Sequence, residues 1–493
     1  MKRAITLVLL FGLALGCAMG PNYKRPEMAV PETFRDTPKP ADAASLADRA
    51  WWNLITDPNL QALIDEALAN SYDARIAAAR VEQYRANAGI ARSALFPQVS
   101  GSGAWVRGRE SDYTFPPGDK PVTEVYTAQF QLSWELDVWG RLRRLNEAGR
   151  AQYLASVEAQ RGVMLSLVAD VAVAYYDLCL LDRDLDIAKG TAAAYKGVYD
   201  LFNLKLQGGA ASALETSSAA GAMGTVAATV PAIEAQIEGQ ENALCFLLGR
   251  PPGPVIRSKL PSTVDLPLDI PAGLPSALLE RRPDVLAAEQ ALVAYNANVG
   301  AAKASMFPTL SLTGLLGGVS PEVNQLFGSG KSWSVAPGLF QPLFFGGRLW
   351  FQYEAAKAMY AESLASYEQA VTQAFAETST TLVAHQKLAE AEKKQQESVA
   401  AFQEAVRLSN QRYEAGLASY YEVLTALQNL YPAEQALAQI QYQRLSNYVT
   451  LYKALGGGWQ NPDQVKPPPP APAAADKQAP APQPAAESPV KEP

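Results

Sequence analysis

The chain has 493 residues, 48% hydrophobic and only 18% charged, so most of its length can bury a core and disorder is excluded for most of it. Forty-two basic residues against 49 acidic ones leave a net charge of −7, which argues against a nucleic-acid binder held by counterion release. One histidine, His385, and three cysteines, Cys17, Cys179 and Cys245, are too few for the usual zinc sites or a disulfide scaffold.

Residues 1–16 begin with Met1-Lys2-Arg3 and continue in an apolar run from Ala4 to Leu15, too short to span a bilayer as a helix. They are expected to be a signal peptide. Gly16-Cys17 resembles a bacterial lipobox, which implies a covalent lipid on Cys17 as the new N-terminus. Ala18 follows in place of a retention aspartate, which implies sorting to the outer membrane. Residues 17–56 would form a lipidated N-terminal strap. At the other end, 459–493 is rich in proline and alanine, includes Pro467-Pro468-Pro469-Pro470, and is expected to be a disordered tail.

Between these ends the chain repeats itself. Ala86-Asn87-Ala88-Gly89 and the following Leu95-Phe96-Pro97 return as Ala297-Asn298-Val299-Gly300 and Met306-Phe307-Pro308, at an offset of 211. Gly140-Arg141-Leu142 returns as Gly347-Arg348-Leu349, Gly209 as Gly416, Ser212 as Ser419 and Glu215 as Glu422, all at 207. A period this long marks a duplicated half rather than a solenoid. The halves are assigned to 57–249 and 276–458, with a linker at 250–275.

In each half an alanine-rich helix comes first, over 59–95 in the first, ending at Phe96-Pro97. From Tyr126 to Val138 apolar and polar residues alternate strictly, which predicts a strand with one apolar and one wet face. Its partner is Gln98 to Arg107, reached through a loop around Pro116-Pro117-Gly118-Asp119. The strand pair therefore lies within 98–138, and the second half offers Thr309 to Gly317 and Trp333 to Leu343 within 309–343. Long helices follow, Leu142 to Leu206 and Leu349 to Tyr413. In the first, Leu167, Val171, Ala174, Leu178, Leu181 and Leu185 step by four and three, a seam that predicts coiled-coil packing. Each rod ends at a glycine, Gly208-Gly209 or Gly416, suited to a left-handed helix cap. The helical hairpins span 141–249 and 348–456. Return helices run to Leu248 and Leu455, with Pro231 and Pro432 expected to kink them. Cys179 and Cys245 lie 30 and 36 residues from the turn, an axial mismatch of roughly 9 Å that forbids a disulfide.

Four amphipathic strands cannot close a barrel, and an open edge in lipid would leave backbone groups unpaired. If these strands meet lipid, the chain must oligomerise, and a dimer or trimer is the smallest closed solution. Here the chain resembles the TolC-like outer membrane factor family, specifically its lipoprotein branch of tripartite efflux channels. The resemblance rests on Cys17 with Gly20-Pro21-Asn22-Tyr23-Lys24-Arg25-Pro26, on the repeated Phe-Pro and Gly-Arg-Leu junctions, and on Arg412-Tyr413-Glu414-Ala415-Gly416-Leu417-Ala418-Ser419-Tyr420. It implies a mixed α and β membrane protein: a homotrimer with a β-barrel of four strands per chain, continued by a long antiparallel coiled-coil tunnel with an equatorial belt. It implies no enzyme activity and no cofactor beyond the lipid on Cys17. The implied partners are a periplasmic adaptor, or membrane fusion protein, and an inner-membrane pump, often of the resistance-nodulation-division type.

The resemblance also places a periplasmic aperture at Tyr421, Glu422 and Thr425, with Tyr413 in a latch whose arginine partner is replaced by Ala418. Adaptor contacts are expected at the hairpin tips, at Gly209, Ser212, Gly416, Leu417 and Ser419. Rival readings are a type I protein secretion duct, a non-channel periplasmic coiled-coil tether and a periplasmic hydrolase. His385 is read as solvated or interhelical, and Glu390, Glu392, Lys393 and Lys394 as an exposed helix face.

Overall fold

The computed structural model describes residues 18–28, 30, 31, 33, 34, 45–109, 111, 113, 122–261, 264–267, 270, 271 and 275–457. The expected signal peptide, Cys17, the loop at Pro116-Pro117 and the tail from 459 lie outside the described residues.

One order of elements occurs twice. The first set is α1 (Pro58–Asn70), α2 (Tyr72–Ser93), β1 (Gln98–Arg109), β2 (Val122–Leu136), α3 (Arg141–Gln207) and α4 (Ala213–Leu247). The second opens on a one-turn helix, Leu278–Arg281, and continues as α5 (Pro283–Ala304), β3 (Thr309–Ser320), β4 (Lys331–Phe340), α6 (Arg348–Glu414) and α7 (Tyr420–Ala454). Helices α3 and α6 hold 67 residues each, about 100 Å of unbroken rod.

Several local features depart from the sequence reading: β1 runs on to Arg109, β3 to Ser320, and β4 covers Lys331–Phe340 instead of Trp333 to Leu343. The helix expected across 59–95 is split at Ser71, whose side chain accepts a hydrogen bond from Asp73 N and caps a new helix. Strand β2 stops at Leu136 instead of Val138, because the Asp137 carboxylate accepts from the amides of Leu142 (3.0 Å) and Arg143 (2.8 Å) at the start of α3. Pro231 and Pro432 lie inside α4 and α7, which run on through them.

The strands form one antiparallel sheet in the order β1-β2-β3-β4. Beneath it the helices pack in a row, α2 on α3, α3 on α5 and α5 on α6. Farther from the sheet the row is α4, α3, α7, α6. The rows share α3 and α6; the other two rods are spliced. A side chain at Gly249, just past α4, would meet the Asn70 carbonyl at 2.4 Å before α2, and one at Gly456, past α7, would meet Arg281 at 3.0 Å before α5. Only glycine permits these two close approaches, and both have positive φ.

A belt surrounds the splices. Leu60, Ile64, Tyr175, Leu178 and Leu248 form one buried cluster, and Phe34, Leu46, Leu451 and Leu455 another. Tyr175 donates to Asp57 (2.6 Å) and accepts from Ser258 N (2.8 Å), which fixes the linker on α3. Cys179 and Cys245 are free and buried, as their axial offset predicts, and their thiols donate to the carbonyls of Ser258 and Gly253.

Of the two readings of His385, solvated or interhelical, the structure gives the second, with its ring 6.2 Å from that of Tyr448 on α7, while Glu392, expected on an exposed face, is inside. Thr378, His385, Glu392 and Val399 stand seven apart on the buried face of α6. His385 Nε2 lies 2.8 Å from the Pro267 carbonyl, and Glu392 pairs with the buried Arg444 of α7. Glu392 is thus a buried ion-pair member, not part of the charged face it adjoins. Glu390 does sit on that face, paired with Lys387.

The strap begins where the sheet meets the helices. Met19 N donates to the Trp139 carbonyl (2.9 Å), and the buried Arg144 donates to the carbonyls of Met19 and Gly20 and to Asn22 Oδ1. A side chain at Gly20 would fall 2.5 Å from Gly300 Cα. Farther along, Arg25 grips Glu289 of α5 through two hydrogen bonds, and Tyr23 donates to the same carboxylate. The residue after Cys17 is therefore held at the foot of the sheet, against Gly140.

Candidate functional site

Directly opposed residues on antiparallel strands share a face, so the register sorts the whole sheet. Ser100 pairs with Gln131, Gln131 with Leu315 and Leu315 with Ser334. Parallel rows carry Gln98, Ser133 and Thr313, and Ser102, Gln129 and Ser332. The other face gathers Val99, Leu132 and Val335, then Phe130, Leu316 and Trp333, then Leu136, Leu310 and Leu339. One side suits hydrocarbon and the other water. Strands β1 and β4 remain the two edges.

At the far end are the hairpin tips. Gly209 (φ 71°) and Gly416 (φ 72°) terminate α3 and α6 in the same way. Ala210 N reaches the Lys205 carbonyl and Leu417 N the Arg412 carbonyl, closing identical glycine caps. Beyond the turns the hairpins differ. Ser212 and Glu215 form a reciprocal capping box at the start of α4, whereas Ser419 makes no side-chain cap for α7. Leu417 is 73% exposed at the second tip.

The sequence-designated residues occupy different environments there. Tyr413 is half-buried: its hydroxyl accepts from Lys205 Nζ of the first hairpin, which also lies over its ring at 4.4 Å from the centroid. Glu422 accepts from Arg412 Nε at 3.2 Å, an ion pair about half exposed on both sides. Thr425 returns its hydroxyl to the Tyr421 carbonyl (2.8 Å), and Tyr421 is 74% exposed. The structure therefore brings Tyr413 to the first hairpin, and leaves Tyr421 exposed.

The residues that organise the tip are Lys205, Arg412, Phe202 and Tyr420. Tyr420 is buried with its ring edge-on to both Phe202 (4.8 Å) and Tyr413 (4.9 Å), and burial raises its phenol pKa, with Tyr413 and Tyr195 adding to the effect. These rings, with Val198, Ala219 and Val423, form a small core where the two hairpins meet. Lys205 and Arg412 are 207 residues apart, the offset of the repeat, and that signal points to both as paired basic positions. Among the described residues no His, Cys, Asp and Glu group is placed to hold a metal ion.

A sheet with one apolar and one wet face, standing on rods of about 100 Å, defines the class: a membrane duct with a long extramembrane helical part. The chain belongs to the outer membrane efflux protein family, whose pattern it matches over residues 63–250 and again over 274–457. It is 35% identical over 464 residues to the probable efflux pump outer membrane protein TtgC of Pseudomonas putida, covering 93% of this chain and 96% of that one. It is 33% identical to the probable outer membrane lipoprotein SilC of Salmonella typhimurium, covering 93% and 99%. Its fold matches the open-state MtrE outer membrane channel of Neisseria gonorrhoeae with a TM-score of 0.79 and 32% identity, over 90% of this chain and 98% of that one. The protein is an outer-membrane efflux channel, of a family of channels and not of enzymes.

Proposed function

We propose that three copies close into a twelve-stranded barrel over a common helical tunnel, and that this duct is the passive exit of a tripartite system. The observation that carries the reading is the pair of matching open edges. The sheet ends at β1 and β4, and the helical row beneath it ends at α2 and α6, which are the helices joined to those same strands. One lateral contact between copies thus completes both layers. Four strands are too few for a membrane barrel, and three copies supply twelve, within the known range.

In this reading a periplasmic adaptor reaches the tips at Gly209, Ser212, Gly416, Leu417 and Ser419, and an inner-membrane pump, of the resistance-nodulation-division type in the family resemblance, supplies the solutes. Tyr421, Glu422 and Thr425 line the aperture, and Lys205 with Tyr413 holds the second hairpin against the first. Cys17 carries the lipid, one residue before the segment seated on Gly140 at the foot of the sheet. Fatty-acid labelling marks the wild type and leaves Cys17→Ser unlabelled; labelling of both contradicts the lipid assignment. Native mass spectrometry of the purified protein gives a trimer that conducts in planar bilayers. A monomeric, non-conducting protein contradicts the proposal.

A further inference from the structure

The apolar side of the sheet changes chemistry with distance from the helices. Its rows run from Leu136, Leu310 and Leu339 at the foot to Trp105 opposite Tyr126, then to Arg107 opposite Glu124, and end with Arg109 opposite Val122. Leu136 and Tyr126 lie about 33 Å apart along β2, or about 25 Å upright at the usual tilt of a membrane strand, which is the height of the apolar band of an outer-membrane barrel. The stacked rings of Trp105 and Tyr126, 6.4 Å between centroids, therefore stand at the outer interface, where such rings collect. Arg107 and Arg109 come one and two rows higher, level with the lipid headgroups.

Arg107 is exposed, and the carboxylate opposite it is held by other groups. Glu124 Oε1 accepts from Trp105 Nε1 and from the Tyr126 hydroxyl, both at 2.9 Å, which ties it to the aromatic row below. Lys331 opens β4 at the same end of the sheet and is also exposed. It starts lower, in the row of Gly103, and its long stem lets the ammonium snorkel to the polar level. The arginines on β1 and the lysine on β4 thus mark the outer ends of the two edge strands.

Resting on the three-copy reading, in which β4 of one copy closes on β1 of the next, we propose that each seam binds the phosphorylated head of an outer-leaflet glycolipid of the lipid A type. Arg107 and Arg109 of one copy and Lys331 of the next grip its phosphate. A guanidinium fork matches two phosphate oxygens at once, and the lysine adds a point charge from the other side. The acyl chains lie along the apolar rows below, beside the exposed Trp333. Because two copies build the site, a single chain lacks it, and bound lipid favours the closed barrel by mass action.

The test is native mass spectrometry of the purified full chain titrated with lipid A, and separately with phosphatidylglycerol and with inorganic phosphate. The wild-type trimer is expected to hold lipid A, and Arg107→Gln/Lys331→Gln to bind it about tenfold more weakly. Arg107→Lys, which keeps the charge and loses the fork, is expected to fall between them. Arg407→Gln, on an exposed part of α6 remote from the sheet, is expected to bind like wild type. Equal lipid A binding by wild type and the double variant, or an equal loss in Arg407→Gln, overturns the site. Phosphatidylglycerol bound as tightly as lipid A, or displacement of lipid A by millimolar phosphate, overturns the glycolipid as its occupant. A wild-type monomer overturns the three-copy reading itself.

Discussion

The two hairpins place equivalent residues at their tips and use them differently. In the first, Glu215 turns back onto Ser212 and caps its own helix. In the second, the equivalent Glu422 pairs with Arg412, while Ser419 leaves α7 without a side-chain cap. Lys205, the counterpart of Arg412, does not stay at home either; it crosses to Tyr413. The first tip caps its own return helix, whereas the second lacks that cap and packs on the first through Tyr413 and Tyr420. A hairpin held by a neighbour can be released by a partner that competes for that neighbour, which suits a gate.

The largest test of this asymmetry lies higher on the hairpins. Glu392 and Arg444 form a buried ion pair between α6 and α7, whereas the equivalent positions in the first hairpin hold Leu185 and Ile237. Removing one partner strands a buried charge, so Glu392→Ala is expected to cost about 3–5 kcal/mol. The double change Glu392→Leu/Arg444→Ile, which copies the first hairpin, is expected to fall within about 1.5 kcal/mol of wild type. Chemical denaturation measures both. A double variant as damaged as the single one contradicts the equivalence of the hairpins.

The caps provide a smaller contrast. Ser212→Ala removes a reciprocal cap and is expected to destabilise the first tip by about 1 kcal/mol. Ser419→Ala removes none and is expected to be neutral. Hydrogen exchange at the first turns of α4 and α7 separates these outcomes, and equal protection losses contradict the assignment.

The smallest effect concerns Asp184 on α3. Burial pushes its carboxyl up to about 6; Arg183 opposes this and Asp177 adds to it. One of its oxygens is buried without a partner. A carboxyl raised in the folded state favours folding most below its ordinary value of 3.8, and that contribution is lost as pH rises to about 6. Asp184→Asn is therefore expected to raise Tm by about 1–3 °C at pH 7.5 and by nothing at pH 4. A gain of the same size at both pH values contradicts the titration.

What was legible in the sequence followed from period. Strict alternation located β2, and the offsets between halves, 211 before the strands and 207 after them, located the second strand pair and both tips. The misplacements have physical causes. Ser71 interrupts an alanine-rich run because its hydroxyl competes for a backbone amide, which no periodicity registers. Glu392 sits in a run of charges, yet it falls on the seven-residue stripe of Thr378, His385 and Val399 that packs against α7. The contact of Lys205 with Tyr413 joins two repeats, and a self-comparison reveals equivalence within repeats, not contact between them. The offset nevertheless marks Lys205 through Arg412, and a reading that followed basic as well as glycine positions along the repeat would have singled out both.

The central claim is that the first hairpin holds the second at the tip. Single-channel conductance in planar bilayers tests it most directly, comparing wild type with Lys205→Met and Tyr413→Phe. The account predicts small wild-type currents, a several-fold rise in Lys205→Met and a smaller rise in Tyr413→Phe, which keeps the ring but loses the hydroxyl acceptor. Conductance unchanged in both variants contradicts it.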